Sequence, residues 1–278
     1  MHHILSELKD RMYELAKKTP DEIAVSFSGG LDSSLLAKIC KDLNKDVILL
    51  TVAFPDSSDI KYAKKIADEM KIPLLIKELS INELENDLKK ICSIVNFDRL
   101  IEIEISLLFY YIFKFARENG IDTVLTANSL DAQFCGFDKF KREFEKGEIA
   151  LKEKIKSEFD HALQTEKEYK KIAEHFGVKM ISPFLNNDFF NFTINLPLES
   201  KIKSSNDDVR KHVLRELSSE IGVPAIAIGR SKKSMQYSSR LDNAIEKLAR
   251  KYITKDKAKY DGYVGVKEAY LKNILHKN

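Results

Sequence analysis

Seven residues, Ser28-Gly29-Gly30-Leu31-Asp32-Ser33-Ser34, place two glycines, three hydroxyls and a carboxylate at the end of the apolar run Ile23 to Ser28. Adjacent glycines remove Cβ atoms where an anion must approach the backbone. A helix starting there would offer that anion its free amides and the positive end of its dipole. Ser28, Ser33 and Ser34 can donate hydroxyl hydrogens to phosphate oxygens. Asp32 does not fit phosphate binding alone, because two anions repel. A magnesium ion held jointly by carboxylate and phosphate oxygens would reconcile them. The competing reading is a tight glycine turn whose serines and aspartate only cap the helix. The strand before it and the helical pattern after it favour the phosphate site.

Such a loop works at the carboxyl end of a parallel strand, where open α/β sheets bind ligands. Apolar runs at Ile23 to Ser28, Asp46 to Phe54 and Pro73 to Ser80 predict three strands. Between them, Leu35, Leu36, Ile39 and Leu43 share one helical face, and Ile60, Ala63, Ile66 and Ala67 share another. Strand and helix in alternation mean parallel pairing. The apolar segment Glu102 to Gly120 predicts a long helix stopped by Gly120, and Asp122 to Asn128 predicts a fourth strand. A charged helical stretch from Lys141 to Gly177 marks a seam, and Val178 to Leu185 predicts a short strand or extended segment. The fold class expected is α/β, a doubly wound parallel sheet with a C-terminal helical part. Its divisions are an N-terminal helix over residues 1–20, a nucleotide-binding α/β domain over 21–145 and a mainly helical part over 146–278.

Composition excludes several classes. Of 278 residues, 44% are hydrophobic and 32% charged, with no low-complexity run, which describes a chain that folds around a core. No run of about eighteen apolar residues exists, and the N-terminal segment is charged and amphipathic, so no membrane partner and a cytoplasmic location are expected. Cys40, Cys92 and Cys135 form no CxxC pair and suggest neither a zinc knuckle nor a disulfide framework. Net charge is +3, yet thirteen Lys and Arg stand against five Asp and Glu from Arg230 to Asn278. That excess of eight suits an anionic ligand, and a solvated lysine face accounts for it equally well.

SGGLDSS resembles the PP-loop of ATP pyrophosphatases, which cleave ATP between its α- and β-phosphates, transfer AMP and release pyrophosphate. Within that superfamily the chain is similar to the synthetase domain of asparagine synthetases. Four further segments agree in order: TVAFPDSSDIKYAKKIA, VLTANSLDAQFCGFDKF, ISPFLNNDFFNFTINLP and KHVLRELSSEIGVPAIAIGRSKKSMQYSS. The resemblance implies ATP bound by Ser26, Ser28, Gly29, Gly30, Asp32, Ser33 and Ser34, by the backbone of Ala53, by Thr126 and Ala127, and by Arg230. It implies magnesium between Asp32 and Asp131. Asp131 and Lys232 would be the catalytic residues, the lysine stabilising charge that grows on departing pyrophosphate. For Lys232 or its neighbour Lys233 the competing reading is a solvated surface lysine.

The family's acidic signature, glycine-glutamate-glycine-serine or alanine-aspartate-glutamate, is only partly present. This chain has Ala127, Asn128, Ser129, Leu130, Asp131 and Ala132, so one acid of three remains. The first glutamate is expected to help ammonia attack the activated carboxyl, and Asn128 cannot accept a proton in that way. ATP and magnesium binding is expected regardless. No nucleophile follows Met1, only His2 and His3, so an amide-forming enzyme would draw nitrogen from free ammonia or from a separate glutaminase or other amine- or sulfur-donor protein. The acceptor expected is a small molecule. NSLDAQ also imperfectly resembles a signature of tRNA-modifying PP-loop enzymes. The basic tail suits tRNA, and Cys135 lies just beyond Asp131. The absence of paired cysteines or an aromatic-rich RNA module makes tRNA the less favoured partner. Cys135 beside Phe134 also reads as a core residue. The eroded signature prompts a third reading, a nucleotide-binding protein without catalysis.

Overall fold

The computed structural model describes residues 2–97 and 99–275. Strands β1 (Glu22–Ser26), β2 (Asp46–Ala53), β3 (Leu74–Glu78), β4 (Thr123–Leu125) and β5 (Lys179–Ile181) form one sheet in the order β3-β2-β1-β4-β5. Every neighbouring pair is parallel. In sequence order the helices are α1 (His2–Lys17), α2 (Leu31–Asp42), α3 (Ser58–Met70), α4 (Ile81–Ile94), α5 (Leu100–Glu118), α6 (Leu130–Gln133), α7 (Lys139–Glu145) and α8 (Glu148–His175). They continue as α9 (Asn187–Ile194), α10 (His212–Glu220), α11 (Ala225–Ile228), α12 (Met235–Ser238), α13 (Leu241–Ala249), α14 (Lys255–Tyr260) and α15 (Val266–Leu275).

The strands read as continuous apolar runs because both faces of the sheet are covered. Ile23, Val25, Val47 and Leu49 point to a core shared with Leu8 and Met12 of α1, Leu35 and Ile39 of α2, Ile66 of α3 and Leu214 of α10. Ala24, Leu50, Val52 and Val124 face the opposite core, built by Leu88 of α4, Phe109 and Phe113 of α5, Tyr169 and Ile172 of α8, and Ile245 of α13. The doubly wound parallel sheet expected from the sequence is therefore present. The expected division near residue 145 does not bound it, because β5 comes from residues 179–181 and pairs with β4. None of the described helices is long and apolar enough to cross a membrane.

The strand order reverses between β1 and β4, and both strands end on the same side. That is the crevice where α/β sheets hold ligands. Gly29 makes the turn out of β1. Its φ is +66°, and a Cβ there would stand 2.8 Å from the Ala63 nitrogen and 2.9 Å from the Tyr62 carbonyl carbon, both backbone atoms of α3. The glycine thus admits α3 as much as it bares the loop. At Gly30, the N-cap of α2, an added Cβ would meet only Ser28 Oγ at 3.3 Å. We predict that Gly29→Ala lowers the free energy of urea unfolding by about 2 kcal/mol or more, from left-handed strain plus the clash. Gly30→Ala should cost under about 1 kcal/mol.

Candidate functional site

Helix α2 begins at Leu31, so Asp32 and Ser33 stand in its first turn beside β1. Across the crevice, the single turn α6 carries Asp131. Its entry residue Ser129 is left-handed at φ +79°. Ser129 Oγ donates to the Phe184 carbonyl (3.0 Å), and Gln133 Nε2 donates to Ser129 Oγ (2.7 Å) and to the same carbonyl (2.9 Å). These bonds fix the turn in place. The third contributor is distant in sequence. Residues Arg210 and Lys211 are both left-handed, at φ +46° and +54°, an unfavourable run for non-glycine residues. Asp207 holds it. One carboxylate oxygen accepts from the Val209 and Arg210 amides (2.9 and 3.0 Å), the other from the Lys203 amide (2.9 Å) and His212 Nε2 (2.6 Å). Burial opposes ionisation of Asp207, but those amides and His212 prevail and lower its pKa.

This loop delivers Lys211 between the two carboxylates. Its Nζ lies 2.8 and 2.6 Å from the Asp32 oxygens and 2.6 Å from Asp131 Oδ1. Lys232 takes the other Asp131 oxygen. Gly136 gives the cluster room, since a Cβ there would lie 2.0 Å from Asp131 Oδ1 and 2.4 Å from Lys211 Cε. Ser28, Gly30, Ser33, Asp59, Arg210, Arg215, Arg230 and Lys233 also line this pocket of about 80 Å³. Arg230 is held rather than free. Its guanidinium donates to Asp59 Oδ1 at 2.6 Å and to the Ser28 carbonyl, and stacks 4.3 Å from the centre of the Tyr62 ring.

Burial is the largest single influence on Asp32, Asp131 and Lys211. It leaves the Asp32 carboxyl above its ordinary range despite Lys211. At Asp131 the two lysines overcome it and lower the pKa. At Lys211 the two aspartates overcome it and raise the pKa. Asp131 therefore stabilises the fold above its ordinary 3.8, and this is lost as pH falls through its lowered folded value. Lys211 stabilises below its ordinary 10.5, a contribution lost as pH climbs through its raised folded value. Asp32 has the opposite sign to Asp131. Its ionisation costs stability above its ordinary 3.8.

Of the expected residues, Ser28, Gly30, Asp32, Ser33, Arg230 and Lys232 line this pocket, and Asp131 borders it through both lysines. Ser33 Oγ turns back to the Gly30 carbonyl (3.3 Å), while Ser34 is buried with its hydroxyl unpartnered among the described residues. Ser26 ends β1 half-buried. Ala53 is buried, and its carbonyl accepts from the Leu79 amide at 2.9 Å. The Thr126 hydroxyl pairs with Ser182 at 2.7 Å, and Ala127 packs into the core. Cys135 is a core residue among Phe140, Ile155 and Phe190, and burial pushes its thiol up to about 12, far from a thiolate. Among the described residues no three His, Cys, Asp or Glu side chains converge as a metal site. Sequence reading missed Lys211, Arg210 and Arg215. The segment RKHVLRE carries them, but its apolar spacing reads as an ordinary amphipathic helix.

The basic tail divides. Arg230, Lys232 and Lys233 line the pocket, whereas Arg250 pairs with Glu246, Lys257 with Asp261, and Lys267 with Glu104 and Asp242.

The family model described as asparagine synthase matches residues 18–170 and 159–278. The chain belongs to the asparagine synthase family. It is 27% identical over 297 aligned residues to a putative asparagine synthetase (glutamine-hydrolyzing) 1 of Methanocaldococcus jannaschii, covering 89% of this chain and 54% of that protein. An asparagine synthetase (glutamine-hydrolyzing) 1 of Arabidopsis thaliana is 27% identical over 207 residues, covering 69% of this chain and 34% of the relative. The chain thus spans about half the length of these relatives, or less. Among solved structures it is similar to an NMN synthetase of Francisella tularensis, with a TM-score of 0.46 and 13% identity over 98% of this chain and 93% of that one. An NH3-dependent NAD synthetase of Campylobacter jejuni gives 0.40 and 14% over 100% and 94%. At that distance neither assigns anything to this member of the family.

Removing the shared cation should leave two buried carboxylates facing each other. We expect Lys211→Met to lose about 3 kcal/mol in urea unfolding at pH 8. The deficit should shrink at pH 5, because the Asp32 carboxyl, already raised, can then take a proton.

Proposed function

We propose that the chain is an AMP-forming ATP pyrophosphatase that activates a carboxylate or amide oxygen of a small acceptor and passes it to a nitrogen nucleophile. The observation that carries this reading is the Lys211 and Lys232 cluster on Asp32 and Asp131, set at the carboxyl ends of β1 and β4 in a chain of this family. The lining holds six cations, Arg210, Lys211, Arg215, Arg230, Lys232 and Lys233, against the carboxylates of Asp32 and Asp59. That balance suits a polyphosphate.

In this reading ATP phosphates take Lys211 and Lys232 from their aspartates, and the start of α2 offers its amides. The acceptor oxygen attacks the α-phosphorus, the bond from there to the bridging oxygen breaks, and pyrophosphate leaves with the electron pair. Lys211 and Lys232 stabilise the charge that accumulates on it. The donor set fits magnesium: both carboxylates lie within 2.8 Å of one ammonium nitrogen, so a single cation can bridge them, and their oxygens are hard donors. Asp32 and Asp131 would hold the ion, which screens phosphate charge when bound. Arg230, fixed on Asp59 and Tyr62, shapes the loop rather than moving with the phosphates. Ammonia, free or delivered by a separate glutaminase, is the nucleophile proposed. The buried Cys135 gives a sulfur-transferring reaction on tRNA no support.

The test is exchange of labelled pyrophosphate into ATP with magnesium and a panel of amino acids and other carboxylates. Exchange, with AMP as the nucleotide product, is expected. Asp131→Asn and Lys232→Ala should each slow it about a hundredfold or more. Release of ADP and phosphate would overturn the reading.

A further inference from the structure

Arg215 lines the crevice pocket with the other cations, but its bonding sets it apart from Lys211 and Lys232. It is the fourth residue of α10, and its amide donates to the Lys211 carbonyl at 3.0 Å. Helical side chains lean toward the N-terminus, so this one folds back over the residues that precede the helix. There Nε donates to the Arg210 carbonyl at 2.9 Å and to the Val209 carbonyl at 3.2 Å, and Nη2 donates to Val209 again at 2.8 Å. Nη1 donates to the carbonyl of Ile228, the last residue of α11.

Those carbonyls belong to two separate segments. Val209 and Arg210 lead directly into Lys211, and Ile228 stands four residues before Lys232. Asp207 shapes the first segment from within, and Arg230 anchors the second to Asp59 and to the Ser28 carbonyl. Neither of these contacts joins one segment to the other. Arg215 does so through a single rigid plane. The join matters because the two ammonium groups share a target: Lys211 and Lys232 take opposite oxygens of Asp131. A lysine at position 215 could not replace it, because its one nitrogen ends a flexible stem, whereas guanidinium holds its donors in a fixed fork. All three nitrogens of Arg215 are engaged on carbonyls, so the residue frames the pocket instead of joining the phosphates.

Resting on the pyrophosphatase reading above, we propose that Arg215 is a positioning residue that fixes the separation of Lys211 and Lys232, so that both ammonium groups reach the departing pyrophosphate together. Charge growing on the leaving oxygens then meets two cations already set at one spacing, with no reorganisation as the bond breaks. Displacing either lysine by about 1 Å is enough to lose up to about a hundredfold in rate.

The test is a double-mutant cycle on the exchange of labelled pyrophosphate into ATP, using Arg215→Ala, Lys232→Ala and the two combined. Arg215→Ala should slow exchange about tenfold or more when Lys232 is present and less than about threefold when it is absent, because a spacing between two lysines then no longer counts. Arg215→Lys, which keeps the charge and loses the fork, should be as slow as Arg215→Ala. An equal fold-loss with and without Lys232 overturns the proposal, since a direct phosphate ligand or a general loosening of the fold gives that result. Full activity in Arg215→Lys overturns it as well. If Arg215→Ala does not fold, Arg215→Gln takes its place in the cycle. A second readout needs no turnover. In the full chain labelled with 13C at the lysine ε-carbons, the Lys232 resonance, assigned by its loss in Lys232→Ala, should move in Arg215→Lys; an unmoved resonance overturns the positioning role. Absence of any exchange in the wild-type chain removes the pyrophosphatase reading, and the Lys232 resonance then decides the role of Arg215 by itself.

Discussion

One ammonium group held between two carboxylates ties this structure together. Lys211 joins Asp32 at the start of α2 to Asp131 after β4, and it reaches them from a loop some eighty residues further along the chain. The segments that carry Asp131 and Lys211 are shaped at some expense to make the contact. The α6 turn begins with a left-handed serine, the 210–211 pair is left-handed twice, and position 136 tolerates no side chain. Such conformations persist only where surrounding bonds over-determine them. Asp207, Gln133 and the Phe184 carbonyl provide those bonds. The sheet core accounts for why the chain folds, and the Lys211 contact accounts for why its loops take these particular shapes.

The two cations from the Arg230 to Lys232 segment are treated differently, and the chemistry of each side chain explains the division. Arg230 is planar and can stack while it donates in several directions. It is 8% exposed, with Asp59 6% exposed, and it bonds a loop carbonyl and lies on Tyr62 at the same time. A group so fully engaged is a clamp. Lys232 makes one contact through a flexible stem and is 31% exposed, which leaves it able to change partners. Two residues apart in sequence, they serve opposite requirements of a binding loop, rigidity of its frame and mobility of its charge.

The sequence disclosed what depends on local pattern. Buried strands between amphipathic helices, the helix stop at Gly120 and the glycine turn before α2 are all written in neighbouring residues. What it concealed depends on distance in the chain. Ser34, named through the motif, is buried because a helix has an inner side that a motif does not mark. Lys211 was invisible because its role comes from a left-handed loop that no helical periodicity records.

The closed ion cluster also bears on which anions the site can accept. A bare anion that drew Lys211 away would leave Asp32 and Asp131 facing each other without a cation, in surroundings where burial already raises Asp32. Its attraction to the lysine would be offset by that repulsion. An anion arriving with a divalent cation would avoid the conflict, because Asp32 and Asp131 could hold the cation while Lys211 turned to the phosphate. No buried carboxylate would then be left unpaired. On the proposed reading, Asp32 and Asp131 would weaken the competition from simple phosphate and favour a metal-bound polyphosphate.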